Sequence, residues 1–250
     1  MKNYSHSFVL VLLTIIAVSS TIAVDYCDRC NGDHIACNNT GEFGPDCPAG
    51  VTVVPMTADI IASILNRHNT ARMNISNGQV SGYETADRMI QMSWDAELAS
   101  FAEMAAKTCI FDHIKCWTTA VYQYAGQNIA MDIATENPTD AINAMFDRWY
   151  NEYANCNMDQ IKKISTMTGA NGKTFGHFTQ VVMANSMKIG CGMVNYLQSS
   201  WLYSHLVCNY AQTNMWGWPV YTLGTPCSGC ASGCSATYPG LCNPGEVVTW

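Results

Sequence analysis

The chain has 250 residues, of which 48% are hydrophobic and 12% are charged, and its formal net charge at pH 7 is −7. The charged fraction is about half the roughly 25% that is typical of soluble domains, and the apolar residues suffice for one sizeable core. Composition therefore excludes an intrinsically disordered chain, and the acidic balance offers no basic surface for nucleic acid or an anionic membrane.

The first 23 residues have the pattern of a secretory signal peptide. Lys2 gives a positive start, and residues 8–18 form an unbroken apolar run. Thr21 and Ala23 then suit the −3 and −1 positions of a signal-peptidase site. The run is too short to anchor the chain in a membrane. We therefore predict a signal peptide at 1–23 and a mature protein that is secreted, extracellular and free of a transmembrane anchor.

The 13 cysteines indicate disulfide bonds, because the thiols of an exported chain are oxidised in the secretory pathway. Four of them lie in a loop-rich N-terminal extension, residues 24–56, and four lie in a second Cys- and Gly-rich extension, residues 224–250. Two Asn-X-Ser/Thr sequons of the predicted mature chain have no proline at X, and these, at Asn38 and Asn74, are candidate N-glycosylation sites.

Two helices are predicted after the N-terminal extension. Thr57 can cap the first, and Asn77-Gly78 ends it. Ser93 is predicted to cap the second, with acidic residues near its start. The apolar side chains expected on the buried face of the second helix are Trp94, Leu98, Phe101, Ala102 and Ala105.

The second half of the chain changes from helix to strand. A third helix begins around Pro138, a residue favoured in first turns, and a shorter helix covers residues 177–184. Residues 189–196 and 201–210 have the pattern of two strands joined by a loop. Helices and antiparallel strands in one chain favour the α+β fold class.

Four segments, taken together and in this order, resemble the motifs of the CAP superfamily of cysteine-rich secretory proteins, insect antigen 5 and plant pathogenesis-related proteins. They are HNTAR at 68–72, GQNI at 126–129, GHFTQ at 176–180 and HLVCNY at 205–210. The N-terminal extension and the string CIFDHIKC at 109–116 are similar to the insect antigen 5 branch of venoms and biting-fly saliva, and the C-terminal run is similar to its dipteran members. Met183, where the family usually has Trp, and residues 211–215 depart from the family pattern.

The resemblance implies a three-layer α-β-α sandwich, with a CAP domain at 57–223 between the two extensions. It also implies four disulfides, Cys27–Cys37, Cys30–Cys116, Cys47–Cys109 and Cys191–Cys208. Of the remaining cysteines, the four in the C-terminal extension are expected to pair among themselves: Cys227, Cys230, Cys234 and Cys242. Cys156 is then the odd thiol, either free and buried or available to a second chain.

The resemblance further implies a cleft built from His113, Gln127, Glu152 and His177. The imidazoles of His113 and His177 could hold a divalent ion, zinc or magnesium, with the carboxylate as an outer partner. The alternative is a satisfied polar cluster that orients helices and requires no cofactor.

Two smaller expectations concern histidines outside this cleft. His68 and Arg72 lie four residues apart on one helical face, so they are expected to tie the first helix to the sheet. His205, on a strand, is expected to be a surface or packing residue.

The function that we predict is non-enzymatic binding or sequestration of a small hydrophobic or host-derived ligand, or of an extracellular host protein, in a salivary or venom allergen. Family members hold lipids in apolar grooves between helices, and the chain is rich in methionine. Met89, Met104 and Met145 would serve equally well as ordinary core residues.

Two alternatives remain open. A metal-dependent hydrolase could use His113 and His177, but Gln127 cannot titrate, and the chain has no GxSxG or HExxH motif. An integrin inhibitor could use the loop Asn31-Gly32-Asp33, because some biting-fly relatives present Arg-Gly-Asp there. Asn31 lacks the guanidinium that would bind a carboxylate, whereas Asp33 is retained.

Overall fold

The computed structural model describes residues 24–248, so the predicted signal peptide lies outside the described residues. A five-stranded sheet lies between helices on both of its faces, which confirms the predicted three-layer α-β-α sandwich. The strands are β1 Thr52–Val54, β2 Ser93–Trp94, β3 Gly126–Ile133, β4 Lys188–Gln198 and β5 Trp201–Tyr210. The helices are α1 Ala58–Ser76, α2 Ala96–Ala106, α3 Pro138–Asn151, α4 Met158–Lys162 and α5 Gly176–Val181, with short 3-10 turns at Tyr26–Asp28, Cys30–Gly32 and Glu152–Asn155.

The β4–β5 hairpin forms the centre of the sheet. The strand order is β1-β4-β5-β3, antiparallel throughout, and β2 adds a short parallel pairing to β4. The sequence pattern predicted β4 and β5 but not β3, whose first residues, Gly126, Gln127 and Asn128, have low strand propensity. Pairing with β5, in which Gln127 lies opposite Asn209, makes this segment a strand.

The two helical layers differ in how closely they approach the sheet. Helices α1, α3 and α5 contribute to the larger core, in which Met89 and Met145 are fully buried, so these two methionines are core residues. Helix α2 packs directly on the backbone of β4. A Cβ added at Gly190 would lie 2.2 Å from the Ala99 backbone nitrogen, and one added at Gly192 would lie 2.4 Å from the Glu103 Cα. These two glycines therefore set the distance between α2 and the sheet.

The predicted start of the second helix was wrong. Asp95, not Ser93, is the N-cap of α2, and its Oδ1 accepts from the backbone nitrogens of Glu97 at 3.0 Å and Leu98 at 2.9 Å. Ser93 instead belongs to β2, because its backbone N–H donates to the Met187 carbonyl beside β4. The N-cap of α1 at Thr57 is confirmed.

Arg72 ties α1 to the segment that follows α5. Its guanidinium is fully buried and donates five hydrogen bonds of 2.7–3.0 Å to the carbonyls of Ile90, Val181, Met183 and Ala184. Three of these carbonyls, those of Val181, Met183 and Ala184, belong to the segment that was predicted to continue the last helix to residue 184. Helix α5 ends at Val181 instead, because carbonyls at 181, 183 and 184 turn toward the guanidinium.

His68 ties α1 to the sheet. Its Nδ1 donates to the Ile64 carbonyl at 2.8 Å, and its Nε2 accepts from the Tyr210 hydroxyl on β5 at 2.9 Å. Full burial lowers the pKa of His68 to about 4, so the ring is neutral. His205, also on β5, is buried as a packing residue.

Twelve of the thirteen cysteines form six disulfides in the structure. Four are the pairs that the resemblance implies: Cys27–Cys37, Cys30–Cys116, Cys47–Cys109 and Cys191–Cys208. The C-terminal extension adds Cys227–Cys234 and Cys230–Cys242, and Cys156 is a half-buried free thiol. The C-terminal segment is also held by Glu246, which accepts from Arg88 Nε at 3.0 Å.

Candidate functional site

Three of the four predicted site residues line one cleft, which has a volume of about 280 Å³. Its lining consists of His113, Gln127, Asn128, Met167, Thr168, Thr174, Gly176, His177 and Asn214. The fourth predicted residue, Glu152, follows α3 directly and lies behind His177 rather than in the cleft wall. The GQNI and GHFTQ motifs and the 109–116 string thus meet in space.

Glu152 accepts hydrogen bonds from both the ring and the backbone of His177. Its Oε1 accepts from His177 Nδ1 at 2.8 Å, and its Oε2 accepts from the backbone N–H of His177 at 2.9 Å. Thr174 Oγ1 and the Phe178 N–H also donate to this carboxylate. Burial alone would raise the pKa of Glu152, but these hydrogen bonds outweigh it and leave the pKa below its ordinary value. The carboxylate is therefore ionised and fully engaged as an acceptor.

A chain of amides orients the other histidine. The Leu98 carbonyl can only accept, so Asn209 Nδ2 donates to it at 3.1 Å and turns Asn209 Oδ1 toward Gln127 Nε2, 2.9 Å away. The remaining Gln127 oxygen, Oε1, faces His113 Nδ1 at 2.9 Å. His113 Nδ1 must therefore carry the proton.

Both histidines consequently keep Nε2 as the nitrogen with a free lone pair when the rings are neutral. This is the tautomer that binds a metal, and a carboxylate or amide behind Nδ1 is a common outer partner of such ligands. A divalent ion in the cleft would have two imidazole ligands and complete its coordination with water. Among residues 24–248, no group of three or more His, Cys, Asp or Glu residues could hold a metal ion.

Two asparagines of the cleft were missed by the sequence reasoning. Asn128 Nδ2 donates to the His177 carbonyl at 3.2 Å, and Asn214 Nδ2 donates to Thr179 Oγ1 at 2.6 Å and to the Gly176 carbonyl at 2.9 Å. Asn128 lies within the GQNI motif. Asn214 lies in the segment 211–215, whose departure from the family pattern was the available signal.

A second concavity, the α1–α3 groove, has a volume of about 290 Å³. It is lined by Asn66, Arg67, Thr70, Ala71 and Asn74 of α1 and by Phe146, Asp147 and Tyr150 of α3. Arg67 pairs with Asp147 and lies 5.1 Å from the centroid of the Phe146 ring. In the described part of the chain, the buried Tyr150 hydroxyl and Arg67 Nε have no hydrogen-bond partner.

The Asn31-Gly32-Asp33 loop has a left-handed backbone at its first two positions. The φ values are 56° at Asn31 and 86° at Gly32, and the loop is exposed. Asp33 Oδ1 accepts from Lys115 Nζ at 3.0 Å. The carboxylate that an integrin would need is therefore already paired, although the pair is exposed to solvent.

The two sequons lie in different environments. Asn38 is exposed in the stapled N-terminal extension, with a φ of 53°. Asn74 is half-buried on the α1 wall of the α1–α3 groove, and its sequon partner Ser76 is fully buried and donates to the Gly240 carbonyl at 2.7 Å. Glycosylation at either position stays a prediction.

The sequence matches the family model described as "CAP: Cysteine-rich secretory protein family" over residues 65–210. The chain belongs to the CAP family. This CAP protein is 37% identical to venom allergen-1 of Aedes aegypti over 98% of its own length and 96% of the relative's. It is 31% identical to venom allergen 5.01 of the wasp Dolichovespula maculata, over 86% of its length and 96% of the relative's. These relatives place it in the dipteran antigen 5-like branch.

Solved structures agree with the fold of this CAP protein. A structure described as NaASP2 with Zn²⁺ superposes with a TM-score of 0.61 and 27% identity, over 78% of this chain and 99% of that one. No helix within residues 24–248 is both long and apolar enough to cross a membrane.

Proposed function

We propose that this CAP protein is secreted and, without catalysing a reaction, sequesters a small amphipathic ligand in the α1–α3 groove. The observation that carries the proposal is the pair of buried donors in the groove wall, the Tyr150 hydroxyl and Arg67 Nε, which lack partners in the described chain. An unpaired buried donor costs roughly 1–3 kcal/mol. A ligand oxygen that accepted from either donor would recover the cost for that donor.

The rest of the groove suits the hydrophobic part of such a ligand. Phe146 is almost fully buried beneath it, and Ala71 leaves space on the α1 side. Apolar walls with a few polar anchors are the usual composition of a small-molecule site. The proposed ligand class is therefore an acid or alcohol with an apolar tail, which includes host-derived lipid mediators. We include in this proposal that the protein binds an extracellular host protein and acts as an allergen.

Native mass spectrometry of the secreted protein, followed by titration with cis-parinaric acid, tests this proposal. We expect a ligand mass that disappears on denaturation, and saturable fluorescence that Tyr150→Phe weakens about fivefold, since this change removes one hydrogen bond. Tyr203→Phe, on β5 and outside the groove lining, is the matched control. Bare protein that fails to bind the probe would contradict the proposal.

A second candidate function is divalent-cation binding in the His113/His177 cleft. The shared orientation of the two rings, with both Nδ1 atoms tied back, supports it. We expect zinc to bind to the protein in calorimetry and binding to be lost in the His113→Ala/His177→Ala double variant. Retained binding in that variant would place zinc elsewhere.

The hydrolase alternative has less support. Glu152 is engaged by four donors and Gln127 is an amide, so neither can act as a general base. The free lone pairs of the cleft are then those on Nε2 of His113 and His177, the same atoms that a metal ion would need as ligands. The integrin alternative is weakened by the pairing of Asp33 with Lys115. Inhibition of platelet adhesion that Asp33→Ala abolishes would revive it.

A further inference from the structure

A third concavity, which we call the hairpin pocket, lies on the α2 side of the sheet. Its volume is about 320 Å³, and it is lined by Asp46, Pro48, Cys109, Phe111, Met131, Tyr196, Leu197 and Gln198. These residues come from the N-terminal extension, the loop after α2, strand β3 and the end of β4. The pocket shares no lining residue with the cleft or with the α1–α3 groove.

Behind the wall of this pocket lies a buried histidine, His205. His205 is 1% exposed, and neither ring nitrogen has a hydrogen-bond partner in the described chain. Its ring packs edge-to-face with Phe111 at 5.6 Å and with Tyr196 at 6.4 Å between centroids, and Met131 is its cross-strand neighbour on β3. Three pocket residues thus separate an unsatisfied imidazole from the cavity, and buried polar groups are rarely left in that condition.

The rim of the pocket carries one acid. Asp46 is exposed and forms no ion pair within the described residues. The protein as a whole is also acidic, with a net charge of −7. The local and overall fields therefore favour a cation in the pocket over an anion.

We propose that the hairpin pocket binds a protonated arylalkylamine whose ring carries a hydroxyl or an indole N–H. The ammonium group pairs with Asp46, and the ligand ring lies against the Tyr196 ring, in the space that the Phe111 ring leaves. The ring hydroxyl or N–H donates to a nitrogen of His205. An ammonium beside aromatic rings also gains cation–π attraction.

Phe111 must move for the ligand to reach His205. Its side chain is 52% exposed, so it loses little packing when it turns toward solvent. His205 stays in the sheet, where Met131 and Val194 lie on either side of it in the register. The movable wall is therefore an exposed loop residue, and the recognition group is on the central strand β5.

Calorimetric titration with tyramine and with phenethylamine, which lacks the ring hydroxyl, tests both contacts. We expect tyramine to bind about fivefold more tightly than phenethylamine, because one hydrogen bond is lost. Asp46→Asn should weaken both amines about tenfold or more, because a charge-assisted contact is lost. His205→Phe should remove the difference between the two amines. Glu42→Gln, an exposed acid in the same extension and outside the pocket lining, is the control.

Three results would overturn the proposal. The first is the absence of saturable tyramine binding at millimolar concentration. The second is binding that neither Asp46→Asn nor His205→Phe changes. The third is equal binding of 3-(4-hydroxyphenyl)propionate, which has the same ring but a negative charge. Urea unfolding of each variant at pH 7 separates loss of the site from loss of the fold.

Discussion

Glu152 binds His177 through two of that residue's donors at once, the ring Nδ1–H and the backbone N–H. One carboxylate therefore fixes the tautomer of the ring and the first turn of α5. On the opposite side of the cleft, the Gln127 amide fixes His113 through the ring alone. Both histidines therefore have the same tautomer, but His177 is held through its ring and its backbone, whereas His113 is held through its ring alone.

Replacing Glu152 with Gln should destabilise the protein. The amide can accept from fewer of the four donors, so we expect the free energy of unfolding at pH 7 to fall by about 1–3 kcal/mol. The folded-state pKa of Glu152 is depressed, so its contribution is present above the ordinary value of 4.5 and is lost as pH falls through the folded pKa. The variant and the wild type should therefore converge in acid. Urea titrations at several pH values measure this, with exposed Glu136→Gln as the control.

Arg72→Lys should destabilise the protein, although the substitution keeps the positive charge. The guanidinium satisfies four separate carbonyls, whereas an ammonium has three donors and a different shape. We expect a loss of about 1–3 kcal/mol for each buried carbonyl that is left without a donor, measured by chemical denaturation. Arg148→Lys, on the exposed pair with Asp132, should change stability by less than about 1 kcal/mol. Equal losses at both positions would contradict this explanation.

His205 should make the fold sensitive to mild acid. Burial lowers its pKa to about 4 from the ordinary 6.5, so below pH 6.5 the unfolded chain takes up a proton that the folded chain does not. Stability should therefore fall as the pH drops from 6.5 toward 4, by about 2 kcal/mol at pH 5 for this residue. His205→Phe should lose correspondingly less stability between pH 7 and pH 5. Parallel pH profiles for the two proteins would show that His205 is not responsible.

Cys156 should be the one reactive thiol, and a slow one. Burial raises its pKa to about 11, so little thiolate exists at pH 7. We expect the unreduced protein to take up one N-ethylmaleimide quickly in denaturant and slowly when folded, as measured by intact mass. Cys156→Ser should take up none. More than one adduct without reduction would mean that at least one of the six disulfides is open.

The amino-acid sequence was sufficient for the family, the layered fold and the α1 cap. These depend on local signals: Thr57 caps its own helix, and the four motifs are short contiguous strings. The implied cleft residues could also be named, because His113, Gln127 and His177 lie inside such strings. The second cap was misassigned because Ser93 and Asp95 are both good caps, and a tertiary contact with β4 assigned Ser93 to a strand.

Only the tertiary structure decided which histidine nitrogens keep a free lone pair, which buried donors lack a partner, and where the pockets lie. The proton on His113 follows from a relay that begins at Leu98 on α2 and passes through β5, and no sequence spacing encodes it. The unpaired Tyr150 hydroxyl and the enclosed His205 are likewise results of long-range packing. Motifs and caps are properties of neighbours along the chain, whereas a lone pair or an orphaned donor depends on whatever the fold brings within about 3 Å of it.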